Sequence, residues 1–132
     1  MKSTKITVAY FTPQFDMAAA SKAAADLYRD LWRELGLSFG ASVVEMMPGS
    51  SVDEIVCSLR AKPIVAHPSG RLSLDRFRHP KGRVVYFFGP EDRCIDDALL
   101  ARFQSVKIPT PTTHPLWGPV AAGVLLNDRL KR

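Results

Sequence analysis

Cysteine is almost missing from this chain: among 132 residues only Cys57 and Cys94 carry a thiol, and they fall far apart on separate expected helices. That rules out a disulfide framework and any zinc site built on paired Cys-x-x-Cys spacing, and it leaves two buried or half-buried free thiols in a reducing compartment. Histidine is equally scarce. None of the three histidines shares helical or short spacing with a carboxylate, so no metal-ligating pattern is present and no metal is expected. A glycine-rich phosphate loop is lacking too; Ser69-Gly70-Arg71 offers at most a faint anion nest, which argues against a nucleotide-hydrolysing enzyme. The apolar runs are far shorter than the roughly 20 residues a membrane-spanning helix needs, and no signal peptide is legible. The expectation is a soluble, cytoplasmic protein with no membrane partner.

Negative charge is in the minority, 13 acidic residues against 18 basic ones, for a formal net charge of +5. Such a balance favours anionic partners, nucleic acid before an acidic protein or a membrane surface. Arg71, Arg76, Arg78, His79, Lys81 and Arg83 crowd one short segment, and Arg129, Lys131 and Arg132 form a second group. The plainer reading is a solvated surface with cations near helix C-termini. Apolar residues make up 46% and charged ones 23%, enough for an ordinary core, so residues 1–132 read as one domain rather than a disordered segment.

Apolar and β-branched runs predict strands over residues 6–11, 42–47, 63–66, 83–88 and 106–108. Between them, Asp16 is a fair N-cap for a long helix whose stripe is Met17, Ala20, Ala24, Leu27, Leu31 and Leu35, with Gly36 as its left-handed end. Ser51-Val52-Asp53-Glu54 fits a capping box, ahead of a short helix that buries Val52, Ile55, Val56 and Leu59. Residues 72–79 suit a helical turn or two, and residues 95–103 a short helix with Asp96 and Asp97 in its first turn. The segment 120–130 predicts a last helix so apolar in its first half that its start belongs in the core or an oligomer interface. Strands and helices alternating at this spacing give an α/β fold, a mostly parallel sheet of about five strands with helices on both faces.

Two strands stop abruptly, at Gly89-Pro90-Glu91 and at Pro109. Ligands of open α/β sheets bind beyond such carboxyl ends, so the two breaks outline a small-molecule crevice. Pro111, His114, Pro115, Gly118 and Pro119 stiffen the loop that follows.

The order and spacing of Phe87-Phe88-Gly89-Pro90-Glu91, Ile95-Asp96-Asp97, Val106-Lys107-Ile108-Pro109 and the segment from Leu116 to the run Val-Ala-Ala-Gly-Val-Leu-Leu ending at Leu126 resemble the last two motifs of the SpoU (TrmH-like) branch of the SPOUT superfamily. These are trefoil-knotted RNA methyltransferases that use S-adenosylmethionine, and the resemblance covers roughly residues 83–130. It implies a C-terminal trefoil knot, a homodimer, and S-adenosylmethionine held by three loops. The loops would be Ala66-His67-Pro68, Phe88-Gly89-Pro90-Glu91, and Ile108-Pro109-Thr110 with Leu116 to Gly118. The implied reaction is 2′-O-methylation of a ribose in tRNA or rRNA.

The chain departs from the family pattern at several motif positions. Cys94 stands where a glycine is usual, Trp117-Gly118-Pro119 replaces an Asn-x-Ser, and the first motif falls on the stretch Asp16 to Lys22 with neither its asparagine nor its arginine. Methylating a ribose hydroxyl calls for a group that orients or deprotonates it and for cations that seat the phosphate. Glu91, Arg93 and Lys22 are the catalytic candidates, with Arg29 nearby. Glu91 serves equally as a turn carboxylate capping the next helix, and Arg93 as a solubilising side chain. His67 could line the pocket. Trp117 could stack on a base, fill the cofactor pocket or simply pack; Trp32 reads as core or dimer contact. Two other readings stay open: a non-catalytic knotted protein that holds RNA or assembles with a partner, and a flavodoxin-like domain with another small ligand.

Overall fold

The run Val84-Val85-Tyr86-Phe87-Phe88 has no polar position to turn toward water, and all five of its residues are buried. In a computed structural model that describes residues 5–12, 19–47, 49–89, 101–112 and 116–131, this run is a central strand of a parallel sheet. The elements follow as β1 (Ile6–Phe11), α1 (Ala19–Phe39), β2 (Ser42–Met46), α2 (Val52–Leu59), β3 (Lys62–Ala66), β4 (Leu72–Ser73), β5 (Val84–Phe88), β6 (Gln104–Lys107) and α3 (Gly118–Lys131). The strand order is β2-β1-β5-β3-β6-β4, with every neighbouring pair parallel.

Strand alternation sorts the apolar side chains into two cores. Val8, Tyr10, Ile64, Val84, Tyr86, Phe88 and Val106 face α1 and α3, where Tyr28, Trp32, Ala122, Leu125 and Leu126 close over them. Ala9, Val65, Val85 and Phe87 face α2, whose Val52, Ile55, Val56 and Leu59 pack there as the capping-box pattern implies. Ser51 caps α2 by accepting the Glu54 N–H, and Arg60 closes it in the left-handed conformation at φ 51°.

The sheet has six strands rather than about five. The extra one, β4, is two residues long and too short to leave any periodicity; a single turn follows it, in which the Phe77 N–H donates to the Ser73 carbonyl. Gly36 does not end α1. It lies inside the helix, where a Cβ would stand 2.6 Å from Val43 Cγ2, and the left-handed stop is Gly40, at φ 65°. The buried stripe of α1 is also rotated by one residue: Tyr28 and Trp32 are fully buried, whereas Leu27 and Leu31 are 55% and 37% exposed. Cys57 is an exposed free thiol, not a buried one. Asp16, Met17, Cys94, Asp96 and Asp97 lie outside the described residues.

Candidate active site at the carboxyl edge of the sheet

β5, β3 and β6 are adjacent, so the segments leaving their carboxyl ends emerge side by side: Phe88-Gly89, Ala66-His67, and Ile108-Pro109. The middle one does something unusual. β3 and β4 flank β6 on its two sides, with Ala66 and Leu72 both in register with Val106. The connection through residues 67–71 must therefore pass across β6, and main-chain bonds pin it there. The His67 N–H donates to the Val106 carbonyl at 3.0 Å, and the Leu74 N–H to the Lys107 carbonyl at 2.9 Å. Gly70 lies so close that a Cβ would sit 2.4 Å from the Val106 carbonyl carbon.

The main-chain donors of this crossing are all used internally. The Ser69 N–H goes to His67 Nδ1, the Gly70 N–H to the His67 carbonyl, and the Arg71 N–H to the buried Ser105 hydroxyl. Ser69-Gly70-Arg71 is therefore not an anion nest, because its amides already have acceptors. The bond to Ser69 also fixes the His67 ring, which is buried at the strand end.

An aromatic floor lies on the α1 and α3 side of this edge. Tyr10 and Trp32 stack in parallel at 4.8 Å, and Phe88 leans on Trp32 at 5.1 Å. The entry to α3 rests on the same rings. Trp117 packs against Tyr28 at 5.1 Å, which realises the packing role among its three readings. At Gly118 a Cβ would meet both Trp32 and the Tyr28 hydroxyl at 3.0 Å. Leu116 is exposed just before the helix.

A second cluster sits where β1 and β2 end, because their register sets Tyr10 beside Glu45. The Glu45 carboxylate accepts from the Tyr10 hydroxyl at 2.8 Å, the Thr12 hydroxyl at 2.7 Å and Arg29 Nε at 2.9 Å. Burial pushes the Glu45 carboxyl up, but the hydrogen bonds from Arg29, Thr12 and Tyr10 outweigh it and hold it below the usual carboxylate range. Burial, and then the same carboxylate, push the Tyr10 hydroxyl far upward. A shallow groove of about 390 Å³ opens beside this cluster, lined in part by Arg29, Arg33, Gly36 and Val43. Its carboxylate is an occupied acceptor, so it serves structure rather than base catalysis. Sequence reasoning named Arg29 but missed Tyr10, Thr12 and Glu45, since only strand register brings them together.

One further polar chain ties α3 to the sheet. Asp128 can only accept, so His79 Nε2–H donates to it at 2.8 Å, and Arg129 donates to the Tyr86 hydroxyl at 3.1 Å beside His79 Nδ1. Lys22 stands exposed on α1. Pro90, Glu91 and Arg93 lie outside the described residues. Among the described residues no group of histidine, cysteine and carboxylate side chains could hold a metal ion, and no helix is long and apolar enough to cross a membrane.

No family model and no curated protein matches the sequence. Solved structures do match in shape. A protein from work on the 2-OH methylation of C/U34 on tRNA superposes with a TM-score of 0.78 at 19% identity, over 99% of this chain and 92% of its own. The TrmH/SpoU tRNA modifying enzyme of A. aeolicus gives a TM-score of 0.73 at 8% identity, over 98% of this chain and 76% of its own. The SpoU methyltransferase AviRb of Streptomyces viridochromogenes, in complex with AdoMet, gives 0.63 at 12% identity, over 99% of this chain and 61% of its own. Over 98–99% of its length, this chain has the fold of the SpoU/TrmH RNA methyltransferases.

Proposed function

We propose that this chain is a SpoU-branch RNA methyltransferase that binds S-adenosylmethionine and methylates a ribose 2′-hydroxyl in tRNA or rRNA. The observation that carries the reading is the crossing of β6 by residues 67–71 at the carboxyl edge, which sets three strand-end loops together on this fold. The same crossing supports a C-terminal trefoil knot: β6 comes later in the chain, yet lies between two strands joined by a short link.

Ala66, His67, Phe88, Gly89, Pro90, Glu91, Ile108, Pro109, Leu116 and Gly118 are the residues assigned to the cofactor. The close approach of Gly70 to the β6 backbone favours a pocket walled in part by main chain, able to read an adenine without many polar side chains, while Gly118 rests on the Trp32 and Tyr28 side chains. The bound cofactor would supply an electrophilic sulfonium methyl. Glu91 would orient the ribose hydroxyl and take its proton, while Arg93 and Lys22 would seat the neighbouring phosphate. A homodimer fits the exposed Leu27 and Leu31 of α1 beside Val120 and Val124 of α3, two helices that pack together. A cytoplasmic setting fits the chemistry, since RNA and S-adenosylmethionine are met there.

The test is methyl transfer from labelled S-adenosylmethionine to bulk tRNA, followed by alkaline hydrolysis. Label in alkali-resistant dinucleotides is the expected result, because a 2′-O-methyl group blocks cleavage at its own phosphate. Label in mononucleotides would move the acceptor from ribose to base. A second reading, a non-catalytic RNA-holding relative, draws on Trp117, which stands in the last motif and is committed to packing on Tyr28. RNA binding with no transfer would select it.

A further inference from the structure

The opposite edge of the sheet, where the central strands begin, gathers positive charge. Lys5 immediately precedes β1, Arg83 immediately precedes β5, and Lys62 opens β3; these three strands are neighbours. Main-chain bonds lock their starts together, with the Val84 N–H donating to the Lys5 carbonyl and the Lys62 N–H to the Arg83 carbonyl, both at 2.9 Å. Strands lie about 4.8 Å apart, so the three cations project from backbone within roughly 10 Å. Arg83 reaches the Leu59 carbonyl at 3.4 Å, at the end of α2, and Arg60 stands in the cap there. Lys5, Arg60, Lys62 and Arg83 are all exposed.

Two further features separate this edge from an ordinary solvated surface. First, three of its cations are not neutralised: among the described residues Lys5, Arg60 and Lys62 form no ion pair, and the acids of α2, Asp53 and Glu54, occupy the far end of that helix, with Asp53 held by Arg102. The half charge of one helix C-terminus needs a single cation, which Arg83 provides, and the others exceed it. Second, the strands and the α2 end that form it carry no exposed large hydrophobic side chain among the described residues, although Leu37 and Leu130 stand near the ends of α1 and α3 that flank it. The exposed large hydrophobic side chains lie on α1, on α3 or at Met47, Leu72 and Leu116. A membrane-surface or protein-docking site would interleave such groups with the charges, whereas a phosphate backbone asks only for cations.

We propose that this amino-terminal edge is a second RNA-contacting surface, which grips the phosphate backbone of a structured RNA away from the edge where methyl transfer takes place. The inference rests on the RNA reading above and extends it. Strands of five or six residues separate the two edges by about 17–20 Å, so the RNA must bend around the sheet or present two arms. Contacts of this kind position the substrate and carry no sequence information.

The experiment compares three proteins for bulk tRNA affinity over a salt series, with losses expressed per charge removed: the wild type, the edge variant Lys5→Gln/Arg60→Asn/Lys62→Gln/Arg83→Gln, and a control at two arginines away from both edges' loops and already paired with acids, Arg33→Gln/Arg102→Gln. Far-ultraviolet circular dichroism and S-adenosylmethionine calorimetry on all three keep folding and the cofactor site in view. The edge variant should lose about three units from the slope of log affinity against log salt and more than about tenfold in affinity at low salt, with the control changing much less. Equal losses in the two variants, or an unchanged slope in the edge variant, would overturn the proposal while leaving the methyltransferase reading intact. A wild type that binds neither tRNA nor S-adenosylmethionine would overturn both. Retention on phosphatidylserine vesicles in place of tRNA would overturn the RNA assignment.

Discussion

Two corners of the carboxyl edge are held chiefly by different means, although the Thr12 N–H also donates to the Met46 carbonyl at the first and the His67 ring and Ser105 hydroxyl accept amides at the second. Where β1 and β2 end, side chains do the work: Glu45 collects Tyr10, Thr12 and Arg29 around one carboxylate. Where β3 and β6 end, the backbone does it: His67, Gly70 and Leu74 are fixed through main-chain bonds, and Gly70 has no room for a methyl group. A side-chain cluster can be rebuilt by other residues in evolution, since any set of donors serves a carboxylate. A main-chain crossing depends on shape and fails on one added carbon. That difference accounts for a chain whose fold matches methyltransferases at 8 to 19% identity while lacking several of the motif side chains.

The largest effect should therefore come from Gly70→Ala. Its Cβ would meet β6 backbone, which cannot rotate away as a side chain can, and the expected loss is about 3 kcal/mol of stability, read as a fall in the urea midpoint. Glu45→Gln should cost less, about 2 kcal/mol at neutral pH, because it strips the charge from hydrogen bonds that remain possible. Its pH dependence sharpens the contrast. The folded carboxyl titrates below its ordinary value of about 4.5, so its stabilisation is complete above that pH and disappears as the pH falls through the lowered value. The gap between wild type and Glu45→Gln should be widest at pH 7 and close in acid, whereas the cost of Gly70→Ala should stay constant across the same range. The smallest effect should be Gly118→Ala, about 1 kcal/mol, since the neighbouring Trp32 and Tyr28 side chains can give by a few tenths of an ångström. Its loss of S-adenosylmethionine affinity should exceed that of Glu45→Gln.

Legibility in the sequence followed the range of the interaction. The buried run of β5, the six residues of β1 and the capping box at Ser51 are local patterns, and each appears where it was expected. The stripe of α1 is not legible from its leucines, because Tyr28 and Trp32, one position on, carry the larger apolar area into the core. Gly36 resembles a helix stop in sequence; only the approach of Val43 from β2 reveals why a glycine is needed inside the helix. For the proposed site, the ends of β5 and β6 are legible from the breaks at Gly89 and Pro109. The crossing at Gly70 and the cluster at Glu45 are not, because both arise from pairings between distant strands.

The most direct test of the account is titration calorimetry of the purified chain with S-adenosylmethionine and with its demethylated product. The account predicts micromolar binding of both, lost on a bulky substitution at Gly89 and kept on substitution of Glu45. No heat at millimolar ligand would contradict it, and would leave a methyltransferase fold without its cofactor.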